Sequence, residues 1–175
     1  MTTEFGVSCI GTRNPTREMS EHCFKLGAWI VICGGIVSSG NAEGIDFAFA
    51  AGGNSIDPTK VHLHLPWKGF NDFQIRRENR IILPPYPQWM VDLTVKLHPR
   101  GPYLKRGPLA LHTRNVAIVH RTLLCVAAPS NKVGGGGTGQ GMRTSTDMGI
   151  ELINLNHYEQ ADWRALAERI RTGLR

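Results

Sequence analysis

Three glycine-bearing stretches and one arginine–asparagine pair hold the residue types in this chain that could do chemistry. The first stretch is Gly11, Thr12, Arg13 and Asn14; the second is SGNAEGID, from Ser39 through Gly40, Asn41, Glu43 and Gly44 to Asp46. The third is GGGGTGQG, which contains Gly136, Gly137, Thr138 and Gln140, and the pair is Arg114 with Asn115. Glycine lets a backbone turn sharply or approach a ligand closely, at a cost in conformational entropy. Each stretch follows an apolar run and precedes a helical pattern. Each therefore reads as a strand-to-helix turn that offers backbone N–H groups and the positive end of a helix dipole, and the natural guest is an anion. Arg13 adds a full charge to the first turn, while Thr138, Gln140 and Thr144 place side-chain donors around the third. One such turn is an ordinary tight connection; three at one edge favour a phosphate.

The elements that must position these turns alternate along the chain. FGVSCIG, GIVSSG, KVHLHLPW, TLLCVAA and IELINLN read as strands. A helix from about Arg17 carries Met19, Cys23, Leu26 and Ile30 on one face. EGIDFAFAAGG reads as a helix capped by Asn41 and closed by Gly52 and Gly53. Further helices are expected at PQWMVDLTVKLH, LALHTRNVAIVHR and MRTSTDMG, and in the C-terminal segment around Trp163, Leu166 and Ile170. Strands separated by helices imply parallel pairing with right-handed crossovers. The expected fold is α/β, a Rossmann-like doubly wound, mostly parallel sheet with helices on both faces. In such a sheet ligands bind beyond the carboxyl ends of the strands, where strand order reverses. The stretch 68–107 is rich in proline and charge and is the least legible.

The chain has 175 residues, the size of one domain (1–175), and a formal net charge of +6, which favours a polyanionic partner. Cys9, Cys23, Cys33 and Cys125 form no CxxC pair, which argues against zinc and a disulfide framework. No apolar run reaches the length that spans a bilayer, and the N-terminus has no signal-peptide pattern, so a cytoplasmic protein without membrane contact is expected. Neither dedicated phosphate fingerprint is present: the glycine run lacks the Lys-Ser/Thr ending of a P-loop and does not follow the first strand.

GTR at the end of the first strand, SGNAEGID after the second, and LHTRNVAIVHRTLLCVAAP resemble the Rossmann-type core of the DprA (Smf) family of DNA-processing proteins. GGTGQGMRTSTDMGIELINL and LPWKGFN are similar to stand-alone members of that family, often phage-encoded, in a superfamily that includes the LOG phosphoribohydrolases. The resemblance runs from about Phe5 to Leu155. It implies binding of single-stranded DNA or a nucleotide, self-association and, for DprA itself, loading of a recombinase in DNA recombination. Residue by residue it points to Gly11, Thr12 and Arg13, to Ser39, Gly40, Asn41, Gly44 and Asp46, and to Arg114 and Asn115. Arg13 and Arg114 would neutralise phosphates, Asn115 would fix a backbone or base edge, and Asp46 would orient Arg13 or a backbone turn. The bland reading of Arg114 is a solvated helix charge. Arg76, Arg77, Arg80, Lys105, Arg106 and Arg121 add charge, and Trp67, Phe70, Phe73 and Tyr86 supply rings able to stack on bases or to cover the core.

An enzymatic alternative is a LOG-like N-glycosidase, or a sensor of a free nucleotide. The glycosidase would need an acid shortly after the glycines. Gly141 and Met142 stand there instead; Glu43 is a substitute, and His112, beside Arg114 and Asn115, is a better acid–base candidate than His62 or His64. No nucleophile, base and orienting group converge by spacing, and no metal-ligand spacing is present. The expectation is therefore binding without turnover, with no cofactor and no metal.

Overall fold

The computed structural model describes residues 5–130, 135–157 and 162–174. Its strands are β1 (Gly6–Gly11), β2 (Ile36–Ser39), β3 (Val61–His64), β4 (Arg80–Ile82), β5 (Thr122–Ala128) and β6 (Glu151–Asn154). Its helices are α1 (Arg17–Ile32), α2 (Ile45–Asn54), α3 (Gln88–Leu97), α4 (Arg106–Val119), α5 (Gly136–Asp147) and α6 (Trp163–Gly173). All strand pairs are parallel, in the order β4-β3-β2-β1-β5-β6.

A strand covered on both faces must be apolar on both, and alternation then decides which layer each side chain joins. Val7 and Cys9 of β1, with Leu124 and Val126 of β5, pack in a core with Leu26 and Ile30 of α1, Phe49 of α2 and Leu166 and Ile170 of α6. Ile10, Cys125 and Ala127 point the other way, onto Ile118 and Val119 of α4 and Met142 of α5. Met90 of α3 joins Val116 and Ala117 behind them. The result is the doubly wound α/β sheet expected from sequence. Chain order runs outward from β1 in both directions, so the switch point lies between β1 and β5.

Three local features differ from the sequence expectation. The middle stretch contributes β4, a three-residue edge strand too short to show a period. Gly52 and Gly53 lie inside α2 rather than ending it, and the cap of that helix is Gly44, at φ +80°, not Asn41. Helix α5 begins within the glycine run itself, at Gly136. By contrast α1 starts as helices usually do, with Thr16 Oγ1 accepting the Met19 amide at 3.1 Å.

Among the described residues no helix is long and apolar enough to cross a membrane. The four cysteines are free thiols; Cys9, Cys23 and Cys125 are buried.

Candidate functional site

The turns after β1 and β5 meet at the switch point and are stitched to α2 and α4. The Thr12 amide donates to Ala128 O at 2.9 Å, and Thr12 O accepts the Ile45 amide at 3.0 Å. Asn115 Nδ2 of α4 donates to Gly137 O at the start of α5, at 3.0 Å. Between them opens a cavity of about 450 Å³. Gly11, Thr12, Arg13, Asp46, Arg114, Asn115, Gly136, Gly137 and Thr138 all line it. Ser39, Gly40, Asn41, Gly44 and Gln140 do not.

The second turn is a scaffold, and its Gly40 and Ala42 amides are already engaged. Asp46 is buried, and its carboxylate accepts the Gly11 amide at 3.2 Å together with the amides of Gly40 and Ala42. Burial pushes the carboxyl upward, while the Arg114 charge and these three amides pull it back. Arg114 is only 3% exposed. Its Nη1 donates to Gly40 O and lies 3.8 Å from Asp46 Oδ2, and its guanidinium sits 5.6 Å from the centre of the Phe70 ring. Arg114 is therefore neither a solvated charge nor a free phosphate ligand; its charge is committed to Asp46. A Cβ at Gly40 would fall on that guanidinium. Ser39 Oγ donates to Cys9 O at 2.7 Å, and Asn41 Nδ2 donates to Phe70 O and Asn71 O, both at 3.0 Å. Gly44 is required both by its φ and because a Cβ there would lie 2.7 Å from Arg13 O. Asp46 orients backbone turns, as expected, but its cationic partner is Arg114 rather than Arg13.

The amides of Gly11, Thr12 and Asn14 in the first turn are engaged by Asp46, Ala128 O and Thr12 Oγ1, so what remains available to a guest is the Arg13 side chain and the third turn. The amides of Gly136, Gly137 and Thr138 open α5 and have no intrahelical acceptor; no side chain caps them. Among the described residues none accepts from them. Gly135, Gly136 and Gly137 are exposed, as is Arg13, whose side chain has no partner among the described residues. The side chains of Gln140 and Thr144 turn inward instead. Gln140 is fully buried and accepts from Arg143, and Thr144 Oγ1 donates to Gln140 O. Glu43 is exposed and outside the cavity lining. Asp46 is the single carboxylate among the described lining residues, and Gly141 packs on Ile10. Among the described residues no group of three or more His, Cys, Asp and Glu is placed to hold a metal.

Of the α4 wall of the cavity, sequence reasoning named His112, Arg114 and Asn115 but not Pro108 and Leu111, because helical spacing alone does not say how far along a helix the face that meets a neighbouring turn extends. His112 also lines the cavity. Its ring lies 4.3 Å from that of His98, and its Nδ1 is buried without a partner among the described residues. Burial, with His98, Arg143 and Arg114 nearby, lowers His112 to about 4, so the imidazole is neutral at pH 7.

His64, beside Ser38 Oγ at 3.1 Å, is lowered to about 3 by burial and then by the Arg114 charge. Both histidines have depressed folded values, so their stabilisation is complete above the unfolded value near pH 6.5 and is lost as pH falls toward 4 and 3. Urea unfolding should show His64 alone withdrawing about 2 kcal/mol between pH 7 and pH 5, and His64→Gln should flatten that slope.

No protein-family model matches this sequence, and no curated protein matches it. A solved structure of DNA processing protein A from Helicobacter pylori superposes with a TM-score of 0.62 at 18% identity, over 97% of this chain and 74% of that one. The chain has the DprA fold. That structure is described as revealing a unique single-stranded DNA binding mode of the Helicobacter protein. At this identity the likeness is one of fold alone.

Proposed function

We propose that the protein binds single-stranded DNA without turnover, seating a backbone phosphate between Arg13 and the first turn of α5. The observation that carries this reading is the convergence, in one open cavity, of an unpaired arginine and three uncapped helix amides on a DprA fold. A helix N-terminus and a guanidinium are complementary donors to a phosphate, and the one acid among the described lining residues is neutralised by Arg114. The reading casts the protein as a cytoplasmic DNA-processing protein of one domain. Self-association and a recombinase partner are further expectations that the resemblance carries.

Arg13→Ala should weaken binding of a labelled single strand about 5- to 10-fold by fluorescence anisotropy and make the salt slope shallower by about one. The melting temperature should stay unchanged, because the side chain is exposed and has no bonded partner among the described residues. Unaltered affinity would remove Arg13 from the site.

A free nucleotide is the second reading, favoured by the cavity's size, which falls in the range of about 300–1,000 Å³ typical of small-molecule sites. A DNA site gains affinity with oligomer length and loses it steeply with salt, whereas a mononucleotide pocket does neither. Base released from nucleoside monophosphates, read by chromatography, would establish the glycosidase alternative instead.

A further inference from the structure

Helix α4 turns one face to the cavity. Pro108, Leu111, His112 and Asn115, at positions i, i+3, i+4 and i+7, all line it. At one end of this face Asn115 Nδ2 is bonded to Gly137 O, beside the α5 amides proposed above to hold a phosphate. His112 lies three residues back, about 4.5 Å along the helix axis, a separation that one nucleotide spans. Arg114 is committed to Asp46. His112 makes no hydrogen bond among the described residues, and its Nδ1 is buried. The ring is nonetheless held in place. It packs against His98 at 48° with centroids 4.3 Å apart, and His98 is itself fixed by accepting the Arg100 amide on Nδ1 at 3.1 Å.

An orphaned buried N–H is rarer than an orphaned acceptor, so the His112 proton belongs on Nε2, the nitrogen left to the cavity. The imidazole is neutral at pH 7, being lowered to about 4 chiefly by burial. A neutral ring adds nothing to the neutralisation of phosphates, which falls to Arg13 and the α5 turn. Its use is directional hydrogen bonding to an uncharged acceptor, and beyond its phosphate a nucleotide offers such acceptors in the carbonyl oxygens and ring nitrogens of the base. We infer that His112 is a base-contacting residue, donating from Nε2 to the edge of the base whose phosphate sits at the start of α5. The inference rests on the reading of the cavity proposed above. Pro108 and Leu111 make the rest of that face apolar, which weakens competition from water for the bond.

The test crosses protein with ligand. Labelled strands of about 6 nucleotides, oligo-dT and its fully abasic counterpart, are titrated by fluorescence anisotropy against wild type, His112→Ala, His112→Phe, His112→Gln and Arg13→Ala. His112→Ala and His112→Phe should each weaken oligo-dT about 3- to 10-fold and leave the abasic strand unchanged, because one hydrogen bond is lost with the base present and none without it. His112→Gln, which keeps an N–H donor, should recover part of the loss. Arg13→Ala should weaken both strands by the same factor. The ratio of the two affinities within one variant does not depend on how much of that variant is folded, so a less stable variant still gives an answer. If His112→Phe keeps the wild-type ratio, or His112→Ala weakens both strands alike, the base contact is refuted; the cavity reading stands so long as Arg13→Ala weakens binding. If wild type binds neither strand, both fall.

Discussion

Arg114→Ala is expected to lose about 3–5 kcal/mol of folding stability in urea, enough to consume much of the roughly 5–15 kcal/mol that holds a domain of this kind together. The cause is the partner it leaves behind. Asp46 would keep a buried carboxylate with no cation, held by backbone amides alone. Asp46→Ala should cost at least as much, because it strands the Arg114 charge and also deprives the amides of Gly11, Gly40 and Ala42 of their acceptor, each at about 1–3 kcal/mol if water cannot reach them. The two losses should not add. With both partners gone no uncompensated charge remains, so the double variant should be more stable than the sum of the singles predicts by about 1–3 kcal/mol. Additive losses would mean that the two groups are not coupled. Arg13→Ala is the control: it changes binding and leaves stability alone. Two arginines that look equivalent in the sequence thus separate into one that builds the site and one that faces the guest.

That separation marks the boundary of what the sequence discloses. Alternating apolar runs and helical patterns are consequences of burial, which acts on every strand and helix, so the order of elements, the doubly wound sheet and the edge where the turns meet are all legible. Strand β4 is not, because Arg80, Ile81 and Ile82 are too few to display a period, and pairing with β3 rather than propensity makes them a strand. Glycine misleads in two ways. Gly52 and Gly53 read as a helix end, and the glycine run reads as a loop before α5, because intrinsic propensity disfavours glycine in helices; tertiary packing overrides it in both places. In the site, residue types identify the turns but not whether an amide is still free. Asp46 claims amides from the first and second turns, and Asn41 is occupied with the segment at 70–71, so SGNAEGID mainly organises the cavity and contributes only Ala42 and Asp46 to its lining.

Gly27→Ala and Gly52→Ala should each lower the melting temperature by about 5–10 °C, although alanine is the better helix former by about 1 kcal/mol. Helices α1 and α2 cross at backbone contact: a Cβ at Gly27 would lie 2.1 Å from Phe49 O, and one at Gly52 would lie 1.9 Å from Phe24 O. Each obstacle is a carbonyl within a helix, which cannot rotate aside as a side chain can, so the helices must separate. Overpacking of this kind costs about 1–3 kcal/mol or more, which outweighs the gain in propensity. The displacement would also reach the cavity. Helix α1 follows the first turn and α2 the second, and the bond from the Ile45 amide to Thr12 O fixes the two turns in register. Spreading the helices pulls Arg13 away from the first turn of α5. Single-strand affinity should therefore fall together with melting temperature in these two variants, whereas His64→Gln should alter only the pH dependence of stability. A glycine variant that melts lower yet binds as wild type would show that the register of the first two turns does not position Arg13.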